Sequence, residues 1–296
     1  MWIRIVGRAE MSEPYKLHNG DSLPFLQSLQ GGSVDAVITD PPYSSGGAFR
    51  GDRTQKANTK YLGTYGDLPE QMVDFSGDNR DQRSWTFWCT AWLSEVFRVL
   101  KPAGLCIVFT DWRQLPSLTD AYQAAGLVWR GVGVWDKTWA SSRPMAGRFM
   151  HQSEYFVWGS KGALPFDFSA DCLPGVFSMP PPKMTDRDHP TEKPVDLIKQ
   201  FLRITGEVVC DPFMGSGTTG AACLSLGKSF IGCEIDPHYF ATAEKRLKEI
   251  EQQPALFHAR PTKRALDGGD SAPQLALSTP EVLSPSRATR HPARRK

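Results

Sequence analysis

Short apolar runs rich in β-branched and aromatic residues alternate along this chain with stretches whose apolar residues recur every three or four positions. That rhythm commits the chain to a mostly parallel sheet with helices on both faces, because parallel strands need helical crossovers and bury both of their faces. Seven runs read as strands: residues 15–18, 34–39, 105–110, 128–135, 154–158, 207–210 and 230–234. Trp85, Trp88, Trp92 and Val99 form one helical stripe, which the Lys-Pro-Ala-Gly of residues 101–104 is expected to close. Leu197, Ile198, Phe201 and Leu202 form a second, with Pro194 near its first turn. Phe240, Ala243, Leu247 and Ile250 form a third, with Asp236 as N-cap and Pro237 just inside.

Three segments break the rhythm. Residues 44–84 are long, polar and rich in Gly, Asp and Arg, the mark of a functional or disordered loop. Residues 161–188 carry Pro180-Pro181-Pro182 and little periodicity. Residues 255–296 are rich in Pro, Ser, Thr, Ala and Arg and read as a disordered basic tail. The 296 residues therefore divide into one large α/β domain, 1–254, and that tail. The tail holds eight Lys/Arg against three Asp/Glu, so the net charge of +2 conceals a domain that is itself slightly acidic. Bulk charge does not mark a nucleic-acid binder; only local patches can. No apolar stretch is long enough to cross a bilayer, and the first residues lack the layout of a signal peptide. Met11 is an alternative start, since a readable pattern begins there. Six scattered cysteines without a C-x-x-C pair predict buried free thiols in a reducing cytoplasm, not disulfides or zinc.

Two strands end in residues that cannot continue them. The run Val34 to Thr39 stops at Asp40-Pro41-Pro42-Tyr43. The run ending at Cys210 stops at Asp211 and leads through Phe213-Met214-Gly215-Ser216-Gly217 into a helix near Thr218. Glycines serve where the backbone turns tightly or a ligand approaches it, and the amides of a following helix favour an anionic group. The next strand ends in Glu234, some twenty residues on, where a nucleotide-binding α/β unit places an acid against ribose hydroxyls. A P-loop is excluded: the sequence Gly227-Lys228-Ser229 lacks the required spacing and precedes a strand. Ligands of open α/β sheets bind outside the carboxyl ends of strands, so both motifs face one crevice if their strands are neighbours.

These motifs resemble those of the AdoMet-dependent amino-group DNA methyltransferases, which methylate an exocyclic nitrogen of adenine or cytosine. The D-P-P-Y is Asp40–Tyr43, the F-x-G-x-G is Phe213–Gly217, and the acid after the next strand is Glu234. Gly20-Asp21, the "HPTEKPVDL" of residues 189–197 and the "HQSEYFVWGSKG" of residues 151–162 resemble further elements of the family. The likeness spans roughly residues 15–250, and the catalytic motif precedes the glycine motif, the order of the beta subgroup. Amide methyltransferases with N-P-P-Y share the chemistry but usually place the glycine motif first. Two phrases, "GDNRDQRSW" and "VFTDWRQLP", are similar to prophage-type methylases. The resemblance implies a seven-stranded Rossmann-like sheet, S-adenosyl-L-methionine (AdoMet) as cofactor, no metal, and transfer to adenine N6; cytosine N4 is the alternative. A non-catalytic AdoMet- or nucleic-acid-binding protein, or a methyltransferase of RNA or protein, is the reading from a different class.

It also implies roles. Asp40 and the Pro41 carbonyl would accept the amine hydrogens, Pro42 would stiffen the loop, and Tyr43 would stack on an extruded base. Phe213, Gly215 and Gly217, beside Asp211, would cradle the methionine part of AdoMet. Glu234 would take the ribose, Asp21 the adenine amino group, and Thr191 and Lys193 the carboxylate end. DNA is the expected partner. Arg50, Arg53, Lys56 and Lys60 stand against Asp52 alone among residues 44–66, with aromatic residues interleaved, and predict phosphate contact. Arg143 and Arg148 form a second, weaker basic candidate. The segment 161–188 falls where the subgroup carries its recognition region, and its shortness predicts a short or relaxed target. A monomer or weak homodimer is expected, and the sequence identifies no restriction endonuclease partner.

Overall fold

The computed structural model describes residues 13–44, 80–139, 146–147, 149–166, 170–182 and 192–252. In chain order the elements are β1 (Tyr15–Asn19), α1 (Ser22–Ser28), β2 (Val34–Thr39), α2 (Gln82–Val99), β3 (Leu100–Thr110), α3 (Leu115–Ala124) and β4 (Val128–Asp136). They continue with β5 (Ser153–Ser160), β6 (Val176–Ser178), α4 (Val195–Leu202), β7 (Val208–Asp211), α5 (Thr218–Ser225), β8 (Ser229–Glu234) and α6 (Pro237–Glu251). The strands form one sheet in the order β1-β8-β7-β2-β3-β5-β4-β6. Pairing is parallel throughout except on both sides of β5, the one reversed strand among those described.

Alternation along the central strands explains the two layers of helices. Val37, Cys106, Val108, Val208, Cys210 and Ile231 face one core, where α1, α2 and α3 pack through Leu26, Trp85, Trp92, Leu93 and Tyr122. Ala36, Ile38, Ile107, Phe109 and Val209 face the other, with α4, α5 and α6 supplying Phe201, Leu202, Ala222 and Leu247. Helix starts follow local chemistry. Asp21, Asp81 and Asp236 each accept backbone N–H bonds from the first turn of α1, α2 and α6, which satisfies donors a helix leaves open. Pro194 precedes α4 and Pro237 sits just inside α6, as expected.

All seven expected strands are present, and the sheet adds an eighth. β6 lies inside the segment read as irregular; three residues are too few to show alternation, yet they pair in parallel with the edge strand β4. The expectation that residues 101–104 close a helix needs correction. α2 ends at Val99, and the chain passes directly into β3, with Ala103 in the left-handed region (φ 64°). Long-range pairing overrides the turn chemistry here: Ala103 N–H donates to the Lys161 carbonyl, and Lys101 Nζ reaches Asp35 Oδ1 at 2.8 Å. α2 also begins at Gln82, so the end of the 44–84 segment is helical. Most of that segment, the Met11 start and the tail lie outside the described residues.

All six cysteines are free and five are buried; burial raises those thiols, that of Cys106 to about 12. Among the described residues no helix is long and apolar enough to cross a membrane.

The junction of β3, β5 and β4 is packed at the backbone. Gly159 pairs with Cys106 on one side and Trp129 on the other, and a Cβ there would lie 2.1 Å from the Val128 carbonyl oxygen. Because that neighbour is backbone, it cannot rotate away. Gly159→Ala is expected to cost about 3 kcal/mol, the upper end for overpacking, as a lowered urea midpoint with an unchanged slope.

Candidate active site

β2 and β7 are neighbours, paired at Ala36–Val209 and Val37–Cys210. From β2 the chain moves to β3 on one side, and from β7 to β8 on the other. This is a topological switch point, where diverging loops leave a crevice beyond the strand ends. The two motif acids stand on its floor. Thr39 Oγ1 donates to Asp211 Oδ1 at 2.6 Å, and a crevice of about 660 Å³ opens above, within the usual range of small-molecule sites.

One wall is the glycine turn. Asp211 organises it by accepting from Phe213 N (3.1 Å) and Thr219 Oγ1 (2.7 Å). Gly215 and Gly217 take left-handed conformations, with φ of 52° and 82°, that other residues adopt only at a cost. Gly217 approaches α6 so closely that a Cβ would lie 3.0 Å from Ala243 Cβ, whereas the space a Cβ would enter at Gly215 is open. Glu234 ends β8 beside this turn, accepting from Gly215 N and Asp236 N at 2.9 Å each. Burial raises its carboxyl despite those bonds. Asp21 completes this wall across the β1–β8 pair; Gly20 N donates to the Glu234 carbonyl. Phe213 lies edge-on to Trp88 and Trp92, with centroids 5.4 and 5.2 Å away.

The other wall is the Asp-Pro-Pro-Tyr loop. Its second proline is fixed from below: buried Trp85 of α2 donates its indole N–H to the Pro42 carbonyl at 2.8 Å. The Tyr43 hydroxyl reaches Asp40 Oδ1 and Glu154 Oε1, the latter at 2.8 Å. Lys193 Nζ pairs with Asp40 Oδ2 and, at 2.8 Å, with Glu154 Oε1; Lys137 Nζ pairs with Glu154 Oε2 at 2.5 Å. Burial and the neighbouring Glu154 raise the Asp40 carboxyl, with Lys193 opposing. Burial pushes Glu154 the same way, but two ammonium groups overcome it and hold it at about 2. Burial and both carboxylates push the Tyr43 phenol well above its ordinary range, so it remains a donor.

The mouth is aromatic and basic. Trp112 stacks on His151 at 6.3 Å, Arg113 lies over Trp112, and Arg80 lies over Trp88. Arg80 N also donates to Ser44 Oγ at 3.3 Å, so the residues bracketing 45–79 meet at the crevice.

Asp40, Pro41, Pro42, Tyr43, Asp21, Lys193, Asp211, Phe213, Gly215 and Glu234 all line the crevice, and Gly217 caps the helix beside it. Lys193, directed by resemblance to the carboxylate end of AdoMet, has its ammonium on Asp40 and Glu154. Thr191, Arg50, Arg53, Lys56, Lys60, Arg143 and Arg148 lie outside the described residues. Sequence reasoning missed Glu154, Lys137 and Glu192. The available signal was an acid inside an otherwise apolar strand; Lys137 gave none. Glu192 pairs with Arg246 of α6 at 2.8 Å beside Thr218, which supports the glycine turn from behind. Among the described residues no group of three or more His, Cys, Asp or Glu is placed to hold a metal ion.

Comparison with known proteins agrees with this layout. The family model described as DNA methylase, N6_N4_Mtase, matches residues 34–175 and 173–245. The Escherichia coli (strain K12) protein named "Putative methylase YubD" is 30% identical over 237 residues, covering 79% of this chain and 90% of its own length. Among solved structures, the M1.HpyAVI–SAM complex superposes with a TM-score of 0.57 at 24% identity, covering 79% of this chain and 98% of that one. The cytosine-N4-specific PvuII DNA methyltransferase superposes with a TM-score of 0.59 at 20% identity, covering 81% and 91%. At these identities the two structures establish the fold.

Asp211 yields a measurable pH signature. Burial pushes its carboxyl up to about 6, against hydrogen bonds from Thr39, Thr219 and the Phe213 amide that favour the ionised form. An unfolded Asp titrates near roughly 3.9. The folded state therefore keeps this proton longer, so the group's stabilisation is full below the unfolded pKa and is lost as pH rises through about 6. Relative to Asp211→Asn, the wild type is expected to lose up to about 3 kcal/mol across that window. Urea unfolding at a series of pH values measures it; parallel profiles for the two proteins would refute it.

Proposed function

The chain belongs to the N6/N4 DNA methylase family, and from that premise we propose that it transfers a methyl group from AdoMet to the exocyclic N6 of adenine in DNA. The observation that carries the reading is the meeting of Asp40 and the glycine turn at one crevice, through the β2–β7 pair.

Residues of the glycine wall fit a cofactor of this kind. Open space in front of Gly215, the Glu234 carboxyl at the end of β8 and Asp21 opposite it suit backbone contact, a ribose and an amino group respectively. A bound AdoMet supplies an electrophilic methyl group. The chain's own task is to present a nucleophile to it, and an exocyclic amine is a poor one because its lone pair is delocalised into the ring. Asp40 and the Pro41 carbonyl accept its two hydrogens, which favours a pyramidal nitrogen with its lone pair directed at the methyl. The Trp85–Pro42 bond holds the loop in register for that geometry. Positioning of this kind supplies much of the rate of a direct displacement. Tyr43 and the aromatic mouth at Trp112 and His151 offer stacking surfaces for a base drawn out of the duplex. Arg80 and Arg113 add positive charge there for phosphate, and Arg50, Arg53, Lys56 and Lys60 follow Tyr43 closely in sequence as further candidates for phosphate contact. We assign 1–254 to catalysis, with 44–84 and 161–188 as DNA-facing insertions.

An initial Asp in the D-P-P-Y motif favours adenine. Incubation of the protein with AdoMet and DNA, followed by mass analysis of the nucleosides, is expected to yield N6-methyldeoxyadenosine; N4-methyldeoxycytidine would overturn the adenine assignment and leave the family intact. Asp40→Ala is expected to lower transfer by about 100-fold or more, with AdoMet affinity retained. Glu234→Ala is expected to weaken AdoMet binding by about tenfold, the worth of roughly one charged hydrogen bond. Full activity in Asp40→Ala would refute the mechanism.

A further inference from the structure

Four ionisable side chains from four separate parts of the fold meet behind Tyr43. Lys137 follows β4, Glu154 lies on β5, Lys193 precedes α4, and Asp40 follows β2. Their charges alternate along a continuous chain of contacts: Lys137 to Glu154, Glu154 to Lys193, Lys193 to Asp40. Lys193 is 6% exposed and Glu154 9%, so both have left water almost completely.

An ammonium buried that deeply is costly to desolvate, and packed apolar side chains in place of the whole charged cluster often serve stability as well or better. Stability of the fold therefore does not by itself account for the cluster to which Lys193 belongs. Its contacts do suggest a use. Of the Asp40 carboxylate, one oxygen is taken by the Tyr43 hydroxyl and the other by Lys193, which fixes the carboxylate's rotation. Glu154 fixes Lys193 in turn, and Lys137 neutralises the second charge of Glu154.

We propose that Lys193, seated by Glu154, is a positioning residue for methyl transfer, orienting the Asp40 carboxylate that receives the target amine. This rests on Asp40 being the amine acceptor. Lys193 contributes charge as well as direction. Asp40 is faced by Tyr43 of its own loop, by Glu154 from β5, by Asp211 from the end of β7 and by Lys193. Burial and the charge of Glu154 favour a protonated Asp40, and Lys193 is the contacting cation that opposes them. A protonated Asp40 has lost part of its capacity to accept the amine hydrogens. Loss of Lys193 therefore moves the acid limb of the rate upward in pH, and loss of the Glu154 charge moves it downward.

The test is single-turnover transfer to DNA as a function of pH, with AdoMet affinity measured calorimetrically, for wild type, Lys193→Met, Lys193→Arg, Glu154→Gln and Asp40→Ala. Lys193→Met is expected to bind AdoMet within about threefold of wild type, a difference worth less than one hydrogen bond. Its transfer at neutral pH is expected to fall by about 100-fold, as for a misplaced reacting group. Its acid limb is expected to move up by about one pH unit, so the deficit shrinks in alkali, and Lys193→Arg recovers part of the rate. Glu154→Gln is expected to be slower with the limb displaced the opposite way. A collapse of AdoMet affinity with the pH profile unmoved would make Lys193 a cofactor ligand and overturn the proposal, as would wild-type kinetics. If Lys193→Met does not fold, the profiles of Lys193→Arg and Glu154→Gln decide the matter alone. Full activity in Asp40→Ala overturns the parent reading; an inactive Asp40→Ala beside a wild-type profile for Lys193→Met overturns only this one.

Discussion

The parallel pairing of β2 with β7 is the constraint on which the rest of the site depends. These strands are separated by more than 160 residues of sequence, and their contact brings the Asp-Pro-Pro-Tyr loop and the glycine turn to one edge. The Thr39–Asp211 hydrogen bond ties the two strand ends at the point where the chain diverges to opposite sides of the sheet. With both strands buried on both faces, a slip of one residue would exchange the two cores, so register is set by packing and the motif acids inherit it. Precision at the crevice is thus a by-product of an apolar sheet centre.

Against that apolar frame the site concentrates buried charge. Each ionised group removed from water costs several kcal/mol, and only close, alternating partners offset this. Among the described residues the condition is met by Lys137–Glu154–Lys193–Asp40 on one wall and by Glu192–Arg246 behind the other. Asp211 takes a different route: hydrogen bonds from Thr39, Thr219 and the Phe213 amide hold it, with no ion-pair partner among the described residues, and burial raises its carboxyl to about 6. The contrast sorts the acids by task. Asp211 holds backbone and threonine hydroxyls in place, whereas Asp40 sits within a network of charges that sets its orientation and its ionisation.

What could be read from the sequence was local. Asp40–Tyr43, Phe213–Gly217 and Glu234 announce themselves by spacing, because turn chemistry and strand ends are written within a few residues. The helix caps at Asp236 and Pro237 were legible for the same reason. Trp85 was visible as part of a helical stripe, but its indole contact with Pro42 spans 43 positions and leaves no local trace. Lys193 and Asp40 are 153 positions apart, and Tyr43 and Glu154 are 111 apart. Such pairings follow from sheet order, which a single sequence does not specify. β6 was missed because a three-residue edge strand has no period to detect, and residues 101–104 misled because a helix-stop sequence was absorbed into β3 by its neighbours.

The segment before α4 shows how two adjacent residues join both walls. Glu192 reaches Arg246 and Thr218, next to the glycine turn; Lys193 reaches Asp40 and Glu154, next to the Asp-Pro-Pro-Tyr loop. One peptide unit therefore links the wall read as holding the methyl donor to the wall read as holding the acceptor. A displacement of this segment has to disturb both, since neither side chain is able to relax without leaving a buried charge unpaired. That coupling gives Glu192-Lys193 a physical reason to stand immediately upstream of the α4–β7 unit. It is the short connection that ties the Asp-Pro-Pro-Tyr loop to the glycine turn.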